Sequence, residues 1–173
     1  MKEQTFWLLV LATLVGAALT YGGDSPPGVW RDPASGLTWQ IKPAGAALNW
    51  TNAIRYCKKL SLDGHKDWRL PTISEFRGLI RGCPKTQADG SCGVTNTCLN
   101  SNCRNDACNG CELKRGPGAG GAYWPAALAG KSGVYWSASP VADYGRDAWL
   151  ADFDSGGVFN SYGVDDGDAR CVR

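Results

Sequence analysis

The chain has 173 residues, which is enough for one domain with a single hydrophobic core. Its 18 Lys and Arg residues nearly balance its 16 Asp and Glu residues and are scattered along the chain, so we expect no nucleic-acid-binding surface. It contains eight cysteines, and an even number in an exported protein favours disulfide bonds over free thiols or metal ligands.

Residues 1–22 are predicted to form a secretory signal peptide. Lys2 gives the short positive start, residues 6–19 form the apolar run, and small residues follow it. The run is shorter than the ~20 apolar residues that a membrane-spanning helix needs, so no stable membrane span is expected after cleavage. A retained N-terminal anchor is the alternative. Residues 23–28 are expected to be a linker, followed by a single domain over residues 29–173 that is secreted, periplasmic or at the cell surface.

The domain is predicted to begin with a hairpin and a short helix. Two short apolar-rich runs, at residues 29–32 and 37–40, flank a turn that contains Pro and Gly, which is the pattern of a β-hairpin. Asn49 or Thr51 is suited to cap a helix that runs to about Leu60, because a side-chain oxygen at that position accepts from a free backbone N–H.

A second helix is predicted over residues 73–81. Pro71 cannot lie inside a helix and disfavours helical geometry at the residue before it, so the helix cannot begin earlier. Thr72 and Glu75 stand at the spacing of a capping box, and apolar residues follow at helical spacing.

The composition changes at residue 82. Residues 82–121 are rich in Asn and Gly and contain few large aliphatic residues, so this segment has too little apolar surface to fold unaided. We therefore interpret it as an insertion held together by its own disulfides, in a pairing that the sequence does not determine. Its cysteines are Cys83, Cys92, Cys98, Cys103, Cys108 and Cys111.

The last third is predicted to be an antiparallel sheet. Residues 134–137 form one strand, and apolar residues alternate with others over residues 149–153. A Gly-containing turn leads to a partner strand at residues 158–162, and residues 169–172 are expected to be a closing strand. Two early helices and a late sheet indicate an α+β fold, with the two short helices packed on a twisted antiparallel sheet.

Five motifs along the chain carry a family resemblance. They are Gly36–Gln40, Trp50 with Ala53 and Cys57, Asp67–Thr72 with Glu75, Tyr135–Ser139, and Arg170–Arg173. In this order they resemble the Lcl C-terminal domain family (DUF1566), named after the Legionella collagen-like adhesin. The resemblance covers roughly residues 29 to 173 and implies a C-type-lectin-like fold, related to that of formylglycine-generating enzymes.

The resemblance also implies a disulfide between Cys57 and Cys171. Such a bridge would join the first helix to the last strand, and closing so long a loop stabilises the folded state by about 4 to 5 kcal/mol. Two buried free thiols are the alternative. For the inner cysteines, a zinc site formed by the last four and a redox dithiol at Cys108 and Cys111 are weaker alternatives than structural disulfides.

No catalytic residue is predicted. His65 is the only histidine, and it lies in a predicted turn where an exposed polar residue is expected. Formylglycine-generating enzymes use a pair of cysteines in the C-terminal part of the domain, whereas only Cys171 lies beyond Cys111 here. The sequence therefore disfavours oxidase chemistry, which stays as an alternative, and we expect a protein that is not an enzyme.

An acidic loop near the C-terminus is a candidate calcium site. Asp165, Asp166 and Asp168 supply the oxygen ligands that calcium prefers, and C-type-lectin-like domains often hold calcium in late loops. The spacing does not match an EF-hand, and an ordinary solvated loop is the favoured interpretation. No other cofactor is expected.

A glycan or another surface protein is the expected partner. Most tryptophans lie in the family motifs and are expected in the core. Tyr123, Trp124 and Tyr144 are expected at loop edges and, together with Asp143, are the candidate ligand-binding residues. The resemblance implies a non-catalytic binding domain, and a structural envelope protein without a small ligand is the alternative. The namesake adhesin binds sulfated glycosaminoglycans through a trimer, but this chain lacks a collagen-like stalk and a dense basic face.

Overall fold

The computed structural model describes residues 28–173, and the predicted signal peptide and most of the linker lie outside them. The strands and helices are β1 (Val29–Arg31), β2 (Thr38–Gln40), α1 (Trp50–Lys59), α2 (Ile73–Leu79), β3 (Val134–Pro140), β4 (Asp147–Asp152) and β5 (Gly157–Tyr162). Short 3₁₀ turns lie between α2 and β3 at Ser101–Cys103, Asp106–Asn109 and Ala119–Gly121. The α+β class is confirmed, and the C-type-lectin-like architecture stays a prediction.

Both helices begin at the residues that their capping side chains predict. Asn49 accepts the backbone N–H of Asn52 at 3.0 Å. Thr72 accepts the N–H of Glu75 at 3.3 Å, and the Glu75 carboxylate accepts the N–H of Thr72 at 2.8 Å, which completes the capping box. The second helix ends two residues earlier than predicted, at Leu79, because the backbone turns away there and the N–H of Arg81 donates to the carbonyl of Tyr123 at 2.9 Å.

The main sheet is antiparallel with strand order β3–β4–β5, and both of its faces are covered. On β4, Trp149 and Ala151 lie in the hydrophobic cluster that includes the buried residues of α2. Their neighbours Ala148 and Leu150 lie in the cluster that includes the buried residues of α1. Successive side chains point to opposite faces of a strand, so β4 is buried on both sides although its sequence alternates.

The expected closing strand is wrong in detail. Residues 169–172 form no strand; instead Val172 makes isolated antiparallel bridges to Trp39 and to Arg69. The N–H of Arg69 donates to the carbonyl of Val172 at 2.9 Å, and the reverse bond is also 2.9 Å. The C-terminal segment thus lies between the first hairpin and the residues before α2. It pairs with each of them over too few residues to form a continuous strand.

All eight cysteines are paired, and none is free. The Cys57–Cys171 bridge is confirmed, with a Cα–Cα distance of 5.4 Å, a sequence separation of 114 and both cysteines fully buried. The zinc and dithiol alternatives are wrong, because Cys108 and Cys111 pair with different partners. The insertion's bridges are Cys83–Cys111, Cys92–Cys108 and Cys98–Cys103.

A buried arginine of α2 makes four hydrogen bonds to the insertion. Arg77 is 2 % exposed and donates hydrogen bonds to four backbone carbonyls of the insertion. Its donor–acceptor distances are 2.9 Å to Thr86, 2.8 Å to Val94, 2.8 Å to Gln87 and 3.0 Å to Gly90. A guanidinium has five donors in a fixed plane, so this single side chain organises a segment that has little regular structure of its own.

In the described residues, no helix has the length and apolar character needed to cross a membrane.

Candidate functional site

Two of the predicted ligand-binding residues belong to the core. Tyr123 and Trp124 are 2 % and 0 % exposed, so the expectation that they lie at an open loop edge is wrong. The N–H of Tyr123 donates to the carbonyl of Phe153 at 2.9 Å, and the Trp124 ring lies 5.3 Å from the Phe153 ring. The segment after the insertion therefore packs along the end of β4, and no surface of these rings remains for a ligand.

The structure does not bring the predicted calcium ligands together. Within residues 28–173, no group of three or more His, Cys, Asp or Glu side chains is arranged to hold a metal ion. The Asp165 carboxylate accepts the hydroxyl of Ser161 at 2.5 Å and is engaged locally. Burial raises the pKa of Asp168, whose charge is partly balanced by Lys131 and Arg170. The acidic run is thus divided between an exposed turn and a half-buried position.

The other predicted ligand-binding residues lie on an exposed loop between β3 and β4. Tyr144 is 55 % exposed. The Asp143 carboxylate accepts the backbone N–H and the hydroxyl of Ser101, at 2.7 and 2.6 Å, and these bonds lower its pKa. Asp143 therefore fastens the loop to the insertion, while Tyr144 is left free to contact a ligand.

This loop forms one wall of an open cleft of about 360 Å³, which we call the sheet-end cleft. The start of α1, the β3–β4 loop and the end of β5 contribute to it. Its lining residues are Trp50, Thr51, Gly145, Arg146, Tyr162, Gly163 and Val164.

Backbone hydrogen bonds at Gly163 join the three elements of the cleft. The N–H of Gly163 donates to the carbonyl of Arg146 at 2.8 Å, and the N–H of Trp50 donates to the carbonyl of Gly163 at 3.0 Å. A Cβ at Gly163 would lie 2.8 Å from the Arg146 carbonyl oxygen, so only glycine allows this approach. The Trp50 indole donates to the carbonyl of Ser137 at 2.8 Å, which orients its ring toward the sheet.

Exposed apolar groups concentrate at the sheet-end cleft. In the part of the chain that the structure describes, four large apolar side chains are exposed; Tyr162 at 38 % and Val164 at 65 % line the cleft, and Tyr144 precedes the lining residue Gly145 in the chain. The Arg146 guanidinium donates to the hydroxyl of Tyr162 at 2.8 Å, and this bond raises the pKa of Arg146. The cleft therefore presents an oriented aromatic ring beside a fixed positive charge.

The lining of the cleft consists of aromatic, small and hydrogen-bonding residues. It contains no His, Cys, Asp or Glu. His65 is not among its residues; it lies in a turn, where its ring is 3.9 Å from the Asp67 carboxylate. Such a lining suits reversible binding through stacking and hydrogen bonds.

Sequence reasoning located the loop beside this site but not the lining of the cleft. It selected Tyr144 and Asp143, which lie on the β3–β4 loop outside the lining, and it did not select Trp50, Arg146 or Tyr162. Trp50 was a motif residue, and Tyr162 ends a predicted strand, so neither carries a local signal of binding. These segments are brought together by the pairing of Asp147 with Tyr162 and by the bonds of Gly163 to Arg146 and Trp50, all of which are contacts between distant parts of the chain.

Comparison with known proteins supports the resemblance given by the sequence motifs. None of the curated proteins matches the chain. The family model of the Lcl C-terminal domain matches residues 28–173, which include every described strand and helix. The chain therefore belongs to the Lcl C-terminal domain family, which indicates a surface or adhesin-type domain.

Proposed function

We propose that this domain is a non-catalytic module that acts at the cell surface or outside the cell and binds a carbohydrate in the sheet-end cleft. The observation that carries the proposal is the exposed aromatic ring of Tyr162 beside Arg146 in the cleft, with Tyr144 exposed on the loop that carries Arg146. The C–H groups on one face of a sugar ring pack against an aromatic face, while arginine donates hydrogen bonds to its hydroxyl groups.

The charge around the cleft favours a neutral sugar. Arg146 is the only charged residue in the lining, and its guanidinium already donates to Tyr162. Asp143, Asp165 and Asp166 are exposed on the adjoining loops. Their combined negative charge repels sulfate and carboxylate groups over the Debye length of about 8 Å at physiological salt.

The cysteine chemistry supports a binding role over an oxidase role. Cys171 is fully buried in its bridge to Cys57, and none of the eight cysteines has a free thiol. An oxidase of the formylglycine-generating type needs a reactive pair of thiols, and this pattern supplies none. The four disulfides also suit an oxidising compartment outside the cytosol.

The test is binding of the purified exported protein to a panel of neutral, sulfated and sialylated glycans, with and without calcium. We expect binding to a neutral glycan that is unchanged by added calcium. Binding only to sulfated glycans would contradict the charge argument, and no glycan binding at all would contradict the carbohydrate proposal.

A protein ligand is the second candidate, and the outer side of α1 favours it. Arg55, Lys58 and Lys59 are exposed there, and among the described residues none of them has a carboxylate within 4.0 Å. Two apolar cavities, of about 390 and 420 Å³, lie beside these three basic residues. The first is lined in part by Leu48 and Leu60, and the second by Ile54 and Leu70. A photo-crosslinking residue at position 58 would capture such a partner in cells, whereas one at position 113 serves as the control.

A further inference from the structure

We propose that the Cys98–Cys103 disulfide is a redox-sensitive support of the sheet-end cleft. Its reduction loosens the β3–β4 loop, which carries Tyr144 and Arg146, and thereby weakens ligand binding without unfolding the domain. The effect on binding rests on the function proposed above, whereas the effect on the loop does not.

This bridge is the one that a thiol reductant reaches first. Cys98 is exposed and Cys103 is 8 % exposed. By contrast, both cysteines are fully buried in the Cys57–Cys171 bridge. The two remaining bridges each contain at least one fully buried cysteine: Cys83 is paired with the half-buried Cys111, and Cys108 with the 2 % exposed Cys92. Access governs the rate of thiol–disulfide exchange, so Cys98 is the preferred point of attack.

The residues inside this small disulfide loop hold the β3–β4 loop in place. The carbonyl of Leu99 accepts the N–H of Ala142 at 3.0 Å and the indole N–H of Trp149 at 3.0 Å. Ser101 donates two hydrogen bonds to the Asp143 carboxylate. Both anchor residues, Leu99 and Ser101, lie inside the short loop that the bridge closes, whose sequence separation is 5.

The position of Asp143 connects this support to the cleft. Tyr144 follows it directly, and Arg146 lines the cleft two residues further on. Apart from its anchors in the insertion, the loop is held at its ends, by the bond from Val141 to Asp147 and by the bond from Gly163 to the carbonyl of Arg146, and its tip is closed only by the bond from Tyr144 to Val141 and that from Asp147 to Tyr144. Loss of the anchors therefore leaves the loop attached at its ends and mobile at its tip.

Reduction of this bridge would not unfold the insertion. The backbone bonds between Thr95 and Cys98 remain, at 3.1 and 3.0 Å, and so do the contacts of Arg77. A loop this short contributes the least closure entropy of the four bridges. The expected product is a folded domain with a loosened cleft wall.

The exchange with a dithiol reductant is balanced. One thiolate of the reductant attacks Sγ of Cys98, the Sγ–Sγ bond breaks, and Cys103 leaves as a thiolate. The second thiol of the reductant then attacks the mixed disulfide, which releases Cys98 as a thiolate and oxidises the reductant to its own disulfide. The protein gains two electrons, and the two thiolates take up the two protons lost by the reductant.

The experiment is a dithiothreitol titration of the exported protein, followed by alkylation and mass spectrometry and by amide hydrogen exchange. We expect Cys98 and Cys103 to be alkylated before the other six cysteines, and exchange at residues 141–146 to become about tenfold faster at that point, because opening this segment requires less energy. Reoxidation should restore the slow exchange. Earlier labelling of another bridge, or unchanged exchange in 141–146, would overturn the proposal.

A variant separates this proposal from the proposed function. Cys98→Ser combined with Cys103→Ser should reproduce the fast exchange without reductant, and Ser101→Ala, which removes one bond to Asp143, should have a smaller effect. Affinity for the glycan found in the panel should fall about three- to tenfold in the double variant, since the ligand must then order the loop. If no glycan binds even the oxidised protein, the proposed function fails, while the exchange result still decides whether the disulfide supports the loop.

Discussion

Arg170 lies over the indole ring of Trp124 at the centre of the molecule, with its Cζ atom 4.6 Å from the ring centroid. Its guanidinium is fully buried and donates to the carbonyls of Gln40 at 2.7 Å, of Ile41, and of Ala129 at 2.9 Å. Burial lowers the pKa of Arg170. The backbone carbonyls and the aromatic face thus replace water around a charge that has no carboxylate within 4.0 Å among the described residues.

We predict that Arg170→Met lowers the free energy of unfolding by about 3 kcal/mol or more, because it removes a charged donor from each of three backbone carbonyls. Arg170→Lys should also destabilise the domain, since an ammonium group cannot span the same three acceptors. Urea denaturation followed by tryptophan fluorescence measures both. Arg55→Met, at an exposed position on α1, is the matched control and should change stability by less than about 0.5 kcal/mol.

Replacement of both Cys57 and Cys171 by Ala should cost about 4 to 5 kcal/mol, because the bridge closes a loop with a sequence separation of 114. The same change at Cys98 and Cys103, whose separation is 5, should cost about 2 kcal/mol. Thermal unfolding of the two variants side by side tests the order. Equal losses would show that loop closure is not the source of the stabilisation.

Tyr162→Ala should lower affinity for the bound glycan about ten- to a hundredfold, which is the size of effect expected for an aromatic residue at the centre of a binding site. The midpoint of unfolding should change little, since the side chain is 38 % exposed at the end of β5. Calorimetric titration measures the affinity. Leu113→Ala, at an apolar side chain that is 64 % exposed outside the cleft, should leave affinity unaltered.

The capping box of α2 should make stability depend on pH in the acid range. Burial raises the pKa of Glu75, but hydrogen bonds from Arg69 and from the Thr72 N–H outweigh burial and hold that pKa below its ordinary value. The stabilisation is therefore fully present above the pKa of a glutamate in the unfolded chain, about 4.3, and is lost as the pH falls through the lower, folded-state pKa.

Glu75→Gln should accordingly reduce the free energy of unfolding at pH 7, and the difference from the unaltered protein should shrink below about pH 4 as the Glu75 carboxylate takes up a proton. Urea midpoints at a series of pH values test this. A difference that stays constant down to about pH 2 would mean that the charge on Glu75 contributes nothing.

The core of the fold could be predicted because its elements have local signals. Asn49 and Thr72 cap helices through bonds to residues three positions away, and the Gly-containing turn between β4 and β5 joins neighbouring strands. The prediction of a closing strand was wrong for the opposite reason. Val172 pairs with two residues that lie more than a hundred positions earlier in the chain, and it makes only an isolated bridge to each of them.

In the candidate site, too, some residues could be predicted from the sequence and others could not. Tyr144 was predicted from its position at a loop edge, and the structure leaves it exposed. Trp124 was predicted for the same reason but is fully buried, and its ring lies 5.3 Å from that of Phe153. Local composition did not distinguish these two aromatic residues.

The sequence by itself determined the family, the α+β class, the two capped helices and the bridge from Cys57 to Cys171, since each depends on a motif or on residues close together in the chain. Tertiary structure alone decided the pairing of the inner cysteines, the burial of Tyr123 and the meeting of Trp50 with Tyr162 at one cleft. The physical reason is that burial and contact between distant segments depend on which surfaces pack together, and no local pattern of residues encodes that choice.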